Sequence, residues 1–249
     1  MLMVGNNRVL ASFLAIAVVS IIIAGCLEGN GSSSTTGRAV FTLSDAAADM
    51  GAVTSIKVTV DTVQAHSEAS GWTTVSSSSK TYDLLELKAS GKHVLLADAQ
   101  LKEGTYNQVR LSISKVVVTD AQGEHEAKLP SSELKIIGNF VVKANTTSTV
   151  AFDFIADESL HLTGNGKYVL APVVKLETRV RADVEIEGDD GVKINGGDVD
   201  EDLKVGMDVD GNVGVGMIVP ARAELTIESD GKVRSRGMGI GAGIIANGD

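Results

Sequence analysis

The most constraining feature of this sequence is a period of two in its apolar residues, which runs from residue 38 to about residue 178. In the segment SIKVTVDTVQA, for example, Ile56, Val58 and Val60 alternate with polar residues. Because successive side chains of a strand point to opposite faces, the pattern predicts antiparallel strands with one buried and one solvated face. Helical spacing is nearly absent, so we expect an all-β fold.

Eight segments show the alternation most clearly, and turn residues separate them. The predicted strands are Ala39–Leu43, Ser55–Ala65, Trp72–Val75, Thr81–Leu87, Gln108–Val118, Phe140–Val142, Thr147–Phe154 and Tyr168–Glu177. Short helical turns are expected only near Ala46–Met50 and Ala156–Leu160. Many short strands with so few helices are typical of an antiparallel β-sandwich of the prealbumin-like or immunoglobulin-like kind.

Six blocks of this region resemble, in their order, the domain-of-unknown-function family 4382, which is found on exported archaeal and bacterial lipoproteins. The blocks are Phe41–Asp49, Thr81–Leu87, Glu103–Ser114, Leu129–Ile136, Phe152–Leu160 and Gly164–Glu177. The resemblance covers residues 38–177 and implies a β-sandwich. It implies no activity and no functional residues, so the function has to be argued from the chain itself.

The N-terminus carries an export signal. An apolar run over residues 9–24 follows Arg8 and ends in Ile23-Ala24-Gly25-Cys26, which resembles the lipobox of secreted lipoproteins. Such a motif predicts cleavage between Gly25 and Cys26 and attachment of lipid to the thiol, the side chain most readily made nucleophilic near neutral pH. An uncleaved anchor helix is the alternative, but the run is shorter than the roughly 20 residues that a spanning helix needs. We expect an exported protein, lipid-anchored to the outer face of the cell membrane, extracellular or periplasmic.

Cysteine content and charge narrow the possibilities further. Cys26 is the only cysteine, so we expect no disulfide and a stability that comes from packing and sheet hydrogen bonds. The formal net charge is −10, and no basic run occurs, which argues against nucleic acid as a partner. The expected partners are the membrane, through the lipid anchor, and an unknown protein or carbohydrate ligand.

The composition changes after residue 178. Three Asp-Gly pairs, at Asp190-Gly191, Asp210-Gly211 and Asp230-Gly231, are spaced by 20 residues and lie between alternating runs. Asp-Gly in this context predicts a tight hairpin turn with positive φ at both central residues. The equal spacing predicts a repeated unit of two strands and a turn. In the tail, glycine alternates with other residues from Gly237 to Gly243, a pattern that allows close approach of another backbone.

These patterns divide the chain into four predicted segments. They are a signal peptide at 1–25, a Gly/Ser/Thr tether at 26–37, a β-sandwich at 38–178 and an acidic, Gly/Asp-rich β-hairpin module at 179–249. Within the last segment, 11 acidic residues face only 2 basic ones between Asp183 and Asp210. A cation would relieve this repulsion.

The acidic run contains carboxylates at the alternate positions that calcium loops use. The candidate ligands are Asp198, Asp200, Asp202, Asp208 and Asp210. Calcium is the one cofactor that the sequence suggests. The match is incomplete, because Leu203 stands where a calcium loop of the helix-loop-helix kind needs glycine. The alternative is a solvated strand face followed by a hairpin tip, since residues two apart share a face.

Three single residues have both a structural and a functional interpretation. Asp45 is expected to cap the turn at 46–50, and the functional alternative makes Asp45 and Asp49 ligands for an ion or sugar. Tyr106, in a Gly-x-Tyr strand entry, is expected to bond backbone across a corner of the sandwich. Trp72 is expected to lie in or half in the core, although a tryptophan could also stack on a sugar ring.

No catalytic motif occurs in the sequence. The histidines are isolated, and there is no nucleophile elbow, phosphate loop or His-Glu-x-x-His. We therefore expect no enzyme but a ligand-binding or partner-binding surface protein. The alternatives are an envelope component that assembles by strand pairing of the C-terminal module and, less favoured, a surface hydrolase that uses residues scattered along the chain.

Overall fold

The computed structural model describes residues 35–46, 50–188, 190–220 and 223–236. All of them belong to one compact unit, Ser34–Asp249. The predicted signal peptide, Cys26, Asp49 and the glycine-alternating tail lie outside the described residues, so those predictions are untested. No helix in the described ranges is long and apolar enough to cross a membrane.

Strands make up most of the described chain, and two short helices interrupt them. The strands of the first half are β1 (Thr36–Asp45), β2 (Ser55–Ser67), β3 (Gly71–Ser76), β4 (Lys80–Asp83), β5 (His93–Lys102), β6 (Gly104–Asp120), β7 (Gly123–Glu126) and β8 (Glu133–Val142). Those of the second half are β9 (Thr147–Phe154), β10 (Leu160–Leu162), β11 (Tyr168–Leu170), β12 (Val173–Val180), β13 (Asp183–Ile186), β14 (Gly191–Asn195), β15 (Asp198–Met207), β16 (Val213–Val215), β17 (Glu224–Ile227) and β18 (Val233–Arg236). The helices are α1 (Leu84–Ser90) and α2 (Ala156–Ser159).

Two large sheets form the fold, which confirms the predicted all-β sandwich. One is eight-stranded, in the order β13-β14-β5-β1-β9-β12-β15-β16. The other is six-stranded: β2 and β6 lie at its centre, β3 and β4 pair with β2, and β7 and β8 pair with β6. Strand pairs within both are antiparallel except β1 with β9, which run parallel. Two hairpin-like pairs, β10-β11 and β17-β18, stand as separate two-stranded sheets.

The inner faces of the two sheets share one core. Phe140 of β8 stacks on Tyr106 of β6, with ring centroids 4.9 Å apart, and meets Phe41 of β1 edge-on at 5.7 Å. These rings connect the six-stranded sheet to the central strand of the eight-stranded one. At Gly138 a Cβ atom would lie 2.7 Å from Leu176 Cδ2 of β12, so any larger residue there would force the buried Leu176 side chain to shift.

The predicted strand Thr81–Leu87 is wrong in its second half. Strand β4 ends at Asp83, whose carboxylate accepts a hydrogen bond of 3.2 Å from the Leu85 amide and so caps α1. Leu84 and Leu87 are buried one turn apart, and Gly91 ends the helix in the left-handed conformation, with φ of 62°. The apolar residues of this run are therefore buried at helical spacing and not at strand spacing. The helical turn expected near 156–160 is confirmed as α2.

The predicted sandwich (38–178) and the predicted hairpin module (179–249) are not separate sheets. Strand β14 pairs with β5 at one edge of the eight-stranded sheet, and β15 pairs with β12 along its length near the other edge. Residues 183–215 thus extend the sandwich, because its edge strands offer unpaired backbone groups that need partners. Of the predicted module, only the β17-β18 hairpin forms its own sheet. The predicted tether likewise ends early, since β1 begins at Thr36.

Each Asp-Gly pair lies at a hairpin tip as predicted, but the turn type is different. In the second and third hairpins only the glycine has positive φ, 84° at Gly211 and 80° at Gly231. In the first, Asp190 takes that conformation, with φ of 62°. One left-handed residue after a turn is the pattern of a longer loop with a bulge, and the predicted pair of positive φ values is wrong.

Candidate functional site

The acidic residues proposed as calcium ligands do not converge. Asp198 forms an ion pair with Arg181, and Asp202 lies 3.4 Å from the Lys175 ammonium across the β12-β15 pair. Asp200 falls at a register shift of this pair and has no partner residue on β12. Asp198 and Asp202 face Val180 and Glu177 in the register, and the nearby basic residues Arg181 and Lys175 offset their charge.

Asp208 and Asp210 lie apart from these, in the tip of the β15-β16 hairpin. Asp208 Oδ1 accepts hydrogen bonds of 2.9 Å from the amides of Asp210 and Asn212, and its Oδ2 accepts one of 3.0 Å from Asn212 Nδ2. The carboxylate therefore organises its own turn. Across the four described ranges, no group of three or more Asp, Glu, His or Cys side chains is placed to hold a metal ion.

Two other residues have structural roles. Tyr106 donates its hydroxyl to the Lys102 carbonyl at 3.1 Å, which confirms the predicted backbone bond. Asp45 caps a helix beside its own strand: its Oδ1 accepts the Ala156 amide at 3.2 Å, at the start of α2. Strand β1 runs parallel to β9, so the end of β1 lies beside the segment that follows β9. The turn at 46–50 lies largely outside the described residues, so the cap predicted there is untested.

The expectation for Trp72 is wrong, because its side chain is 37% exposed on the outer face of the six-stranded sheet. Val63 and Ala65 of β2 and Val109 and Leu111 of β6 are buried in the core. Their sequence neighbours must therefore point outward, away from the eight-stranded sheet. Trp72 belongs to this outward set, since it lies directly opposite His66 of β2.

The strand register arranges the outward side chains in two rows across β3, β2, β6 and β8. The first row is Trp72, His66, Gln108 and Ile137, and the second is Thr74, Gln64, Arg110 and Lys135. We call these eight residues the Trp72 face. With neighbouring strands about 4.8 Å apart, a row of four spans about 14 Å.

Arg110 is the centre of the Trp72 face. Its guanidinium carbon lies 4.1 Å from the centre of the Trp72 ring, a cation–π contact. Its Nη1 lies 3.5 Å from Glu133 Oε1, a weak ion pair. Its Nε is buried and has no hydrogen-bond partner among the described residues. Arg110 thus keeps an unused donor beside an exposed aromatic ring.

Planar polar groups surround this pair. His66 Nδ1 lies 2.9 Å from Asn107 Oδ1, and the His66 ring lies 5.0 Å from the Trp72 ring. Gln64 donates to Thr74 Oγ1 at 3.3 Å. These contacts hold the side chains in place on a rigid sheet, which is how binding surfaces are kept pre-organised.

The far end of the face, on β8, is open. Lys135 is exposed and has no ion-pair partner in the described part of the chain. Ile137 is 61% exposed, although it is a large apolar residue. The alternation of buried and polar residues along β2 and β6 could have identified the outward positions. It could not have shown that Trp72 and Arg110 meet, because their contact depends on the pairing of β2 with both β3 and β6.

A cavity of about 430 Å³ is a weaker candidate. It lies between the tips of the second and third hairpins, and its charged lining residues are Lys128, Asp210, Asp230, Lys232 and Arg234. Three cations and two carboxylates leave little net charge there. The cavity therefore carries no clear chemical preference, whereas the Trp72 face has an exposed aromatic ring and an unused donor.

His125, Asp120 and Tyr168 form a hydrogen-bonded cluster beside β7. Tyr168 donates to Asp120 Oδ2 at 2.7 Å, and His125 Nε2 lies 3.0 Å from Asp120 Oδ1. The bond from Tyr168 is the main cause that lowers the pKa of Asp120, and burial is the main cause that raises the pKa of Tyr168. The cluster lacks a serine, threonine or cysteine nucleophile in hydrogen-bond contact with its histidine among the described residues, and it joins the β6-β7 hairpin to β11.

Comparison with known proteins gives a single match. Residues 36–172, more than half of the chain, match the family described as Domain of unknown function (DUF4382). No curated protein and no solved structure matches the chain. The matched residues run from the start of β1 to just before β12 and include all eight residues of the Trp72 face. The chain belongs to the DUF4382 family.

Proposed function

We propose that this protein is a non-catalytic binding protein, exported and held by lipid on Cys26 at the outer face of the cell membrane. The Trp72 face is its binding surface for a protein or carbohydrate ligand. The observation that carries this proposal is the exposure of Trp72 on a flat sheet face, with Arg110 stacked against it. An exposed aromatic ring beside an arginine is the composition that binding surfaces favour.

The anchor rests on the sequence Ile23-Ala24-Gly25-Cys26 after an apolar run. The first strand begins at Thr36, only ten residues past Cys26, so a lipid there would keep the sandwich near the membrane surface. Two acyl chains or more are needed for stable attachment, because one gives only marginal binding.

Replacement of Cys26 by serine tests the anchor. The wild-type protein should sediment with membranes and incorporate a labelled fatty acid, whereas Cys26→Ser should do neither. A wild-type protein that stays in the soluble fraction without label would refute the anchor.

Binding is tested with the lipid-free Cys26→Ser chain, labelled and added to intact cells of the encoding organism. Saturable binding should be lost in the Cys26→Ser, Trp72→Ala double variant. The matched control is Val199→Ala, which removes exposed apolar surface from β15 of the other sheet. Equal binding by all three chains would exclude the Trp72 face as the binding surface.

A second candidate function is assembly of an envelope layer by strand pairing. The strands at the two edges of the eight-stranded sheet are β13 and β16. Val215 of β16 is 70% exposed and Ile218, just after it, is 49% exposed. Apolar edges of this kind are templates for pairing with another chain.

Edge pairing is tested by Val215→Lys in the Cys26→Ser chain, because a lysine on an edge strand blocks pairing. If copies assemble through β16, multi-angle light scattering should show oligomers that this substitution dissociates. The control is Val199→Lys, which adds the same charge at an exposed apolar residue of β15 outside its pairing with β16. A monomer before and after substitution would remove this candidate.

A further inference from the structure

The Trp72 face has a charge arrangement that the folded chain does not resolve by itself. Arg110 of β6 and Lys135 of β8 lie directly opposite each other in the strand register. Like charges at such positions, with Cβ atoms about 5 Å apart, destabilise a sheet. Glu133 reaches only Arg110, at 3.5 Å, and leaves Lys135 unpaired within the described residues. An anionic ligand would relieve this repulsion.

One more feature restricts the form of that anion. The Trp72 ring is 37% exposed, with the Arg110 guanidinium 4.1 Å from its centroid and the His66 ring tilted against it at 5.0 Å. The ligand must therefore offer an acceptor with negative charge and, within a few ångströms, a face of C–H groups that can pack on indole.

The shape of the surface points to a chain of units and not to a small molecule. Neither Trp72 nor Arg110 lines the cavities at the hairpin tips, beside β7 or at the start of β8. The two rows instead form an open strip about 14 Å long, edged by the amides and hydroxyl of Gln64, Gln108 and Thr74. Small ligands bind in concave sites, whereas an extended polymer can bind along an open strip.

We propose that the Trp72 face binds an acidic oligosaccharide, a chain of uronic-acid-type pyranose rings. One ring packs its C–H face on Trp72, and a carboxylate lies between Arg110 and Lys135. The amide and hydroxyl side chains bond the sugar hydroxyls along the rows. This ligand class deepens the proposed function and rests on the assignment of the Trp72 face as the binding surface.

A second copy of the chain is a poorer occupant. In a symmetric dimer through this face, residues of one copy meet the same patch of the other. Arg110 and Lys135 of both copies would then crowd together around Glu133 alone on each side, which multiplies the like-charge contacts. A neutral sugar would satisfy the ring but would leave Lys135 unpaired.

Trp72 is the only tryptophan of the chain, so its fluorescence reports on this face alone. The Cys26→Ser chain is titrated with trigalacturonic acid and, in parallel, with its fully methyl-esterified form, which has the same rings without charge. The acid should change the fluorescence saturably and bind at least tenfold more tightly than the ester. Its affinity should fall as salt concentration rises.

Variants then locate the carboxylate. Lys135→Gln should weaken acid binding severalfold and flatten its salt dependence, with little effect on the ester. Lys115→Gln, which removes an exposed lysine from the distant part of β6, is the matched control and should bind as the parent does. Trp72→Ala should abolish binding of both ligands, as measured by calorimetry because the fluorophore is lost.

Three outcomes would overturn the inference. Equal affinity for acid and ester would make the ligand a neutral sugar. Absence of binding to both would exclude this class of glycan. Self-association that covers the face would make a second copy the occupant. Failure of the proposed function is measured separately, by the membrane and cell-binding assays. A chain that binds cells through Trp72 but ignores trigalacturonic acid refutes the ligand class alone.

Discussion

The two sheets differ in how their facing cations are paired. On the eight-stranded sheet, Lys175 faces Lys204 across β12 and β15, but each forms an ion pair with a nearby acid. On the six-stranded sheet, Arg110 faces Lys135, and Trp72 is exposed beside them. The facing lysines of the eight-stranded sheet therefore have acidic partners, whereas Lys135 has none among the described residues and Trp72 leaves aromatic surface exposed. This difference supports the proposal that the six-stranded sheet binds a partner.

The largest expected effect separates the core from the Trp72 face. Phe140→Ala removes the ring that packs between Phe41 and Tyr106, so it should lower the free energy of unfolding by about 3–5 kcal/mol. Urea unfolding of the Cys26→Ser chain, followed by circular dichroism, measures the loss. Trp72→Ala is the comparison and should cost less, about 1–2 kcal/mol, because it loses the cation–π contact with Arg110 but no core packing. If both substitutions lower the free energy of unfolding by similar amounts, Trp72 is a structural residue and the core and the Trp72 face do not differ in this respect.

A smaller effect is expected where the second hairpin tip approaches the six-stranded sheet. Gly211 has φ of +84°, and a Cβ there would lie 2.9 Å from Ser131 Cβ, in the segment before β8. Gly211→Ala should therefore cost about 1–2 kcal/mol from the backbone alone, and more from the contact. Gly231→Ala is matched in φ, at +80°, but its Cβ would meet only Lys128 Nζ, at 3.8 Å. If thermal unfolding shows equal losses, the hairpin tip does not brace the six-stranded sheet.

The third prediction concerns pH and the Asp120 cluster. Hydrogen bonds, chiefly from Tyr168, lower the pKa of Asp120 in the folded state. The unfolded chain then binds a proton first as pH falls, so the stabilisation present above the ordinary aspartate pKa of about 3.9 is lost below it. Urea midpoints should fall as pH drops through this range, and less steeply in Asp120→Asn. Parallel pH profiles for the two chains would show that Asp120 does not contribute to acid unfolding.

The smallest effect tests the charge contrast directly. Lys135→Gln removes a like-charge contact and should raise the free energy of unfolding by about 0.2–0.5 kcal/mol. Arg38 faces the neutral Gln100 of β5 and pairs with Asp98, so Arg38→Gln should lower the free energy of unfolding by a similar amount, about 0.2–0.5 kcal/mol. Both effects should shrink at high salt, because exposed charges are screened. If both substitutions change the free energy of unfolding in the same direction, the two sheets do not differ in how their surface charges are paired.

Much of the strand content follows from sequence alone, because alternation is a local property. Ile56, Val58 and Val60 are buried on one face of β2 as their spacing predicts. The segment 84–90 departs from this, since Leu84 and Leu87 suit a capped helix as well as a strand. The candidate site was less predictable. Trp72 could be named as a candidate, but its exposure depends on which face of β3 the sheet pairing turns outward.

The sequence by itself determined an all-β fold, three hairpin tips at the Asp-Gly pairs and the backbone bond of Tyr106, since each depends on residues close together in the chain. Only the tertiary structure decided that residues 183–215 extend the eight-stranded sheet, and that Asp198 and Asp208 lie in separate settings and not in one cation site. It also decided that Trp72 meets Arg110. These outcomes depend on pairing between strands distant in sequence, where register and sheet order place side chains together, and local periodicity contains no information about either.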